Sequence, residues 1–258
     1  MTAPERAASA VSLALPAVIG HRGAAASAPE NTLASLRKAH DFGAQWVEFD
    51  VRLCGDGRCI VLHDDTIDRT SDGSGAAARL TLAELRRYDA GAWFAPEFAG
   101  ERIPTLEEVI DLLGALGLGA NVEIKPAAGD EVATARATVE ILRRHWPASL
   151  PPPLLSSFAP LALEAARDAA PELARGHLFR RLPSDWQGQA ERLRCVTIHC
   201  DQKHLTRSAA RAVIGAGYPL LAYTVNDPAR AREIISWGAA SVFTDCPDRV
   251  IAGLAQAD

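Results

Sequence analysis

The chain has no surplus of basic residues: 27 Lys and Arg stand against 32 Asp and Glu in 258 residues, a formal charge of −5. Nucleic-acid binders concentrate a basic excess on one face, so no nucleic-acid partner is expected. An anionic small-molecule substrate has to be held by a few placed cations or a metal. Long apolar runs are lacking too. The longest uncharged stretch near the start, Ala7 to Gly20, falls short of the roughly 20 residues a spanning helix needs, so no stable membrane insertion is expected. With Arg6 before it, that stretch imitates the apolar region of a signal peptide. However, Ala17-Val-Ile-Gly20 runs directly into His21-Arg22-Gly23, and cleavage nearby would destroy a core strand. No C-x-x-C pair occurs among the five cysteines, Cys54, Cys59, Cys195, Cys200 and Cys246. An odd number in a chain long enough to bury a good core points to reduced thiols and a cytoplasmic protein. What is present, 48% hydrophobic and 23% charged residues, is ordinary for a globular protein and excludes disordered, collagen-like and coiled-coil classes.

Short apolar runs alternate with helical patterns along the whole chain. Strands are expected at about Ala17–Gly20, Trp46–Leu53, Cys59–His63, Ala120–Lys125, Leu154–Ser157, Gly176–Phe179, Cys195–His199, Leu220–Thr224 and Ser241–Thr244. Amphipathic stretches separate most of them: Thr32–Phe42, Leu106–Leu116, Glu131–His145, Leu161–Ala169, Thr206–Ala216 and Ala229–Trp237. Strands divided by helices of this length mean βαβ units and parallel pairing. Only Trp46–Leu53 and Cys59–His63 break the rhythm, with Asp56-Gly57 between them as a hairpin signal. Counting that hairpin as one position gives the α/β class, a distorted (β/α)₈ TIM-type barrel. Asp64 to Ile103, rich in Gly, Ala and Asp, reads as a small inserted subdomain over one end, with a short helix near Leu82–Arg87 and a small satellite core at Trp93, Phe94 and Phe98. Pro151-Pro152-Pro153 stiffens a loop rather than linking domains, so residues 1–258 are expected to form one domain with an insertion at about 64–103.

Barrels of this kind gather function at the C-terminal ends of their strands. Those ends carry His21, Arg22, Glu48, Asp50, Glu123 and Lys125. Strand side chains alternate faces, so Glu48 shares a face with Asp50, and Glu123 with Lys125. Carboxylates inside a barrel are costly unless paired or metal-bound, and an all-oxygen set suits a hard cation, Mg²⁺ or Ca²⁺. A turn centred on Asp56-Gly57 sets Asp50 opposite His63 and Cys54 opposite Cys59, placing His63 beside that cation. Two histidines flanking it suggest an acid and a base around an anion, with Arg22 and Lys125 as phosphate holders. His199 ends a strand and is a weaker candidate for the pocket. Glu30 and Asn31 are weaker candidates for contact with the site, and Asn31 reads more simply as the N-cap of the helix beginning at Thr32.

The segments Gly20-His-Arg-Gly23, Ala28-Pro-Glu-Asn-Thr32, Val47-Glu-Phe-Asp-Val51, Val61-Leu-His-Asp64, Asp68-Arg-Thr70, Ile103-Pro-Thr-Leu106, Asn121-Val-Glu-Ile-Lys125, Tyr223-Thr-Val-Asn226 and Phe243-Thr-Asp245 resemble, in order, the glycerophosphodiester phosphodiesterase family. The resemblance spans about residues 18 to 250. It implies a distorted (β/α)₈ barrel that hydrolyses glycerophosphodiesters to sn-glycerol 3-phosphate and an alcohol. It also implies His21 and His63 as the acid/base pair, Glu48, Asp50 and Glu123 as ligands of one divalent cation, Mg²⁺ or Ca²⁺, and Arg22 and Lys125 as phosphate contacts. Tyr223, where the family commonly has Trp, is expected to touch substrate. Two routes stay open, attack by the glycerol 2-hydroxyl through a cyclic phosphate or direct attack by water. The competing functions are a lysophospholipase D, a non-catalytic phosphate-binding barrel and, on the same fold, a metal-dependent sugar isomerase.

Overall fold

The structure is a computed structural model that describes residues 13–256. Part of the Ala7–Gly20 stretch therefore lies outside the described residues. In chain order the elements are β1 (Val18–Gly20), α1 (Leu33–Asp41), β2 (Trp46–Leu53), β3 (Cys59–Val61), α2 (Leu82–Leu85), α3 (Leu106–Leu116), β4 (Gly119–Ile124), α4 (Glu131–His145), β5 (Leu154–Ser157), α5 (Pro160–Ala169), β6 (Ala174–Phe179), α6 (Trp186–Leu193), β7 (Thr197–Asp201), α7 (Arg207–Gly215), β8 (Leu220–Tyr223), α8 (Pro228–Ser236), β9 (Ser241–Thr244) and α9 (Pro247–Ala255). All strands but β3 pair in parallel, and β1 meets both β9 and β2, which closes the sheet into the expected (β/α)₈ barrel. β3 hangs antiparallel on the end of β2.

Alternation in β2 and β4 decides what enters the barrel. Val47, Phe49 and Val51, with Ala120, Val122 and Ile124, join the apolar layer under α1, α3 and α4. Trp46, Glu48 and Asp50, with Gly119, Asn121 and Glu123, therefore face the barrel axis. At the N-terminal end Ile19, Trp46, Leu154, Ala174, Leu221 and Phe243 fill the interior. Trp46 pairs with Gly119 in the ladder, and a Cβ on that glycine would lie 2.4 Å from the indole. Gly119→Ala is thus expected to destabilise the fold by about 1–3 kcal/mol through overpacking. Denaturant melts would register this, and an unchanged midpoint would refute the packing argument.

Helix starts follow local chemistry. Thr105 and Glu108 form a capping box on α3, and Gly117 ends it in the left-handed region at φ 72°. Thr32, not Asn31, caps α1, accepting from the Ser35 amide. α6 and α9 lie outside the helices expected from periodicity.

The hairpin register differs from expectation by one residue. Val51 pairs with Val61 and Leu53 with Cys59, so Asp50 faces Leu62 rather than His63. The cause is the turn: Gly57 donates to the Cys54 carbonyl at φ 77° and Cys54 donates to the Arg58 carbonyl, a type I turn with a bulge that adds a residue. Cys54 and Cys59 consequently do not face each other, and both are free thiols. Between Asp64 and Ile103 the chain has two 3₁₀ turns (Ala77–Arg79, Pro96–Phe98) and α2. Its buried apolar residues, Ile67, Ala77, Leu85, Ala90 and Ile103, pack on Cys54, Ile60 and Leu62 of the hairpin. Trp93, Phe94 and Phe98 are not in that cluster. They meet edge to face, at 5.7 and 5.6 Å, at the surface.

Candidate active site

Every charged residue expected at the strand ends reaches one mouth of the barrel. Carboxylate oxygens of Glu48, Asp50 and Glu123 lie within 4.8 Å of one another, and all three residues are buried. Lys125 Nζ bridges two of them, 3.1 Å from Asp50 Oδ1 and 3.2 Å from Glu123 Oε1. Arg22 donates its backbone amide to Glu48 Oε2 at 3.0 Å and sets Nε 3.4 Å from Asp50 Oδ2. To do so Arg22 adopts φ 50°, and Asn31 beside it φ 59°. Asn31 is a positioning residue for Asp50: its Nδ2 donates to Asp50 Oδ2 at 2.9 Å and its Oδ1 accepts from the Asp50 amide. Left-handed non-glycine residues are costly and cluster where a site over-determines them.

The electrostatics show an unbalanced trio, three acids against two cations. Burial, then the charges of Asp50 and Glu123, push the Glu48 carboxyl well above its usual range. Burial and Asp50 raise Glu123 to about 7. Asp50 goes the other way, because Lys125, Arg22 and His63 outweigh its burial. Glu48 Oε1 is a buried oxygen with no hydrogen-bond partner. An unpartnered carboxylate oxygen beside two more carboxylates fits a hard divalent cation, which would supply the missing positive charge.

Each histidine is held by a carboxylate. His21 Nδ1 lies 2.6 Å from Asp245 Oδ1, and its Nε2 faces the trio, 3.9 Å from Glu48 Oε2. Asn226 holds the other Asp245 oxygen at 2.6 Å. His63 Nδ1 lies 2.6 Å from Asp64 Oδ1. A carboxylate partner fixes the proton on Nδ1 and leaves Nε2 for transfer. Burial lowers the His63 pKa despite the opposing pull of Asp50. Arg69 joins Asp64 to Glu30, and Glu30 accepts from Arg22 at 2.7 Å, so His63 and Arg22 are tied by one ionic chain.

The bulged hairpin thus still delivers His63 to the mouth, although not directly across from Asp50. Tyr223 also lies there, its ring 5.8 Å from that of Phe158 and its hydroxyl without a partner among the described residues. His199 does not reach the site: it is fully buried, bonded to Thr197 at 3.0 Å, and burial takes its pKa down to about 3. Asp64, Arg69, Asn226 and Asp245 are the participants that strand-end reading leaves out. For Asp64 and Asp245 the signal is the carboxylate that orients an imidazole through its second nitrogen, and Arg69 and Asn226 in turn hold those carboxylates.

Comparison with known proteins places this arrangement. A model of the glycerophosphoryl diester phosphodiesterase family matches residues 21–249. A glycerophosphodiester phosphodiesterase of Caldanaerobacter subterraneus subsp. tengcongensis is 33% identical over 241 residues, covering 91% of this chain and 96% of that protein. One from Bacillus subtilis is 30% identical, covering 96% and 90%. The structure of an Oleispira antarctica phosphodiesterase in complex with the product sn-glycerol-3-phosphate superposes with a TM-score of 0.91 at 43% identity, covering 93% of this chain and 97% of that one. Since the matched span runs from the Asp245-held histidine just after β1 into α9 and includes every residue of the carboxylate trio, the chain belongs to the glycerophosphoryl diester phosphodiesterase family.

Proposed function

We propose that this protein is a metal-dependent phosphodiesterase that hydrolyses glycerophosphodiesters to sn-glycerol 3-phosphate and an alcohol. The observation that carries the reading is the convergence of two carboxylate-held imidazoles on one buried trio of acids. Glu48, Asp50 and Glu123 would hold one Mg²⁺ or Ca²⁺, which when bound neutralises phosphate charge and acidifies a hydroxyl it touches. Arg22 and Lys125 orient the phosphate, Arg22 as a fork already braced by Glu30 and Lys125 as a point charge. His21 and His63 exchange protons at Nε2 with the attacking hydroxyl and the leaving alcohol, one as base and one as acid. Asp245 and Asp64 hold the tautomer each ring needs. Tyr223 and Phe158 give the mouth an apolar wall against the glycerol carbons.

Residues 1–258 are read as one catalytic domain, with 64–103 packed on the hairpin that carries His63. No helix among the described residues is long and apolar enough to cross a membrane, and all five cysteines are buried free thiols. The free thiols support a cytoplasmic location.

Release of glycerol 3-phosphate from glycerophosphocholine and glycerophosphoglycerol tests the proposal. EDTA is expected to abolish release, and Mg²⁺ or Ca²⁺ to restore it. Undiminished turnover after chelation and dialysis would refute the metal assignment, and no release with either cation would refute the activity.

A further inference from the structure

Two cavities flank the histidines, and they are unequal. The one beside His63 is about 10 Å³, too small for any alcohol. The one beside His21 is an open pocket of about 430 Å³, walled by Ala25, Ala26, Asn226, Cys246 and Arg249 as well as Asp245. Of these two cavities, the one on the His21 side has room for a leaving alcohol of the size found in glycerophosphodiesters.

The walls decide which alcohol fits. Apart from the His21 imidazole, none of the residues lining this pocket carries an aromatic ring, so no Trp, Tyr or Phe face is there to receive a quaternary ammonium group. Its carboxylates are already engaged. Glu30 accepts from Arg22 and from both terminal nitrogens of Arg69, and the two oxygens of Asp245 are taken by His21 and Asn226. Arg249 is the opposite case. Among the described residues its guanidinium forms no ion pair, and one nitrogen donates to the Cys246 thiol. Its remaining N–H groups are donors at the pocket rim, suited to hydroxyl or carboxylate oxygens.

We infer that this pocket receives the alcohol moiety of the diester and that Arg249 makes it selective for polyhydroxylated or anionic alcohols over cationic ones. The inference rests on the diesterase reading above and specifies its substrate class. A choline group here would displace water from a guanidinium and find neither a free carboxylate nor the face of a Trp, Tyr or Phe ring. A glycerol or inositol group would accept from Arg249 and donate to backbone carbonyls.

The test is kcat/KM for glycerophosphoglycerol and glycerophosphocholine, measured with Mg²⁺ on wild type, Arg249→Gln and Arg249→Glu. Wild type is expected to prefer glycerophosphoglycerol by about tenfold, the worth of one charge-assisted hydrogen bond. Arg249→Gln should remove most of the preference, chiefly through KM, and Arg249→Glu should reverse it. Equal use of both substrates by wild type, or a ratio unmoved in the variants, sinks the pocket assignment while leaving the diesterase reading intact. Failure of wild type to hydrolyse either diester sinks both. Arg249→Gln keeps a similar length and polarity, so the outcome does not depend on the charge-reversed protein folding.

Discussion

Replacing His21 or His63 by alanine is expected to lower kcat on glycerophosphocholine by roughly 10²–10⁴-fold, the usual worth of a positioned acid or base. KM should move little, because the proposed phosphate contacts are Arg22 and Lys125 rather than the rings. The carboxylates behind the rings separate a chemical role from a packing role. Asp245→Asn and Asp64→Asn keep each imidazole in place but loosen its orientation, for a loss of about 10–100-fold. Asp64→Asn carries a further signature. The Asp64 hydrogen bond raises the His63 pKa against the depression that burial causes. Removing the carboxylate therefore lowers that pKa further, and the limb of the pH–rate profile that His63 sets should shift to lower pH. Near-wild-type turnover in both alanine variants would end the acid/base assignment, and an unmoved limb in Asp64→Asn would remove His63 from the profile.

Much of this site was legible because barrel geometry is periodic. Strict alternation in β2 and β4 puts Glu48, Asp50 and Glu123 on the axis whatever the loops do, and strand ends are fixed by the apolar runs before them. The hairpin register was not legible from the Asp56-Gly57 signal alone. The same dipeptide serves a two-residue turn and a type I turn with a bulge, and a single extra residue changes every pairing. Asn31, a weaker candidate for the site, is read first as a helix cap because Asn and Thr both cap well; Thr32 takes that role and Asn31 holds Asp50 instead. Asp245 joins His21 across almost the whole chain, a contact that exists only once β9 closes the barrel against β1. Helices α6 and α9 were missed for a local reason: their buried faces are short, Trp186, Ala190 and Leu193 in one and Pro247 and Val250 in the other, too few to set a period.

Glu48→Gln should abolish activity, weaken cation binding by at least about 100-fold, and yet raise the melting temperature of the cation-free protein near pH 8. In the proposed reading the acid trio would hold a cation, and it is a liability without one. Burial and neighbouring carboxylates raise the Glu48 and Glu123 pKa values, Glu123 to about 7 from its ordinary 4.5. The folded state therefore holds these protons more tightly than the unfolded chain. Their contribution to stability is complete below about 4.5 and is lost as pH rises through about 7. Asp50 opposes this only at low pH, since its depressed pKa contributes stability that disappears as pH falls below the ordinary carboxylate range. Between pH 5 and 8, then, the cation-free enzyme should lose stability while its affinity for Mg²⁺ or Ca²⁺ rises, because the ion displaces the same protons. Glutamine at position 48 removes one of the three like charges and so flattens both slopes. In a chain of this size each kcal/mol relieved is worth about 2–4 °C, within reach of calorimetry with and without EDTA at pH 5 and pH 8. A Glu48→Gln protein less stable than wild type under EDTA at pH 8, or wild-type affinity for the cation independent of pH, would show that Glu48 is packed for structure and that the trio does not act as one charged site.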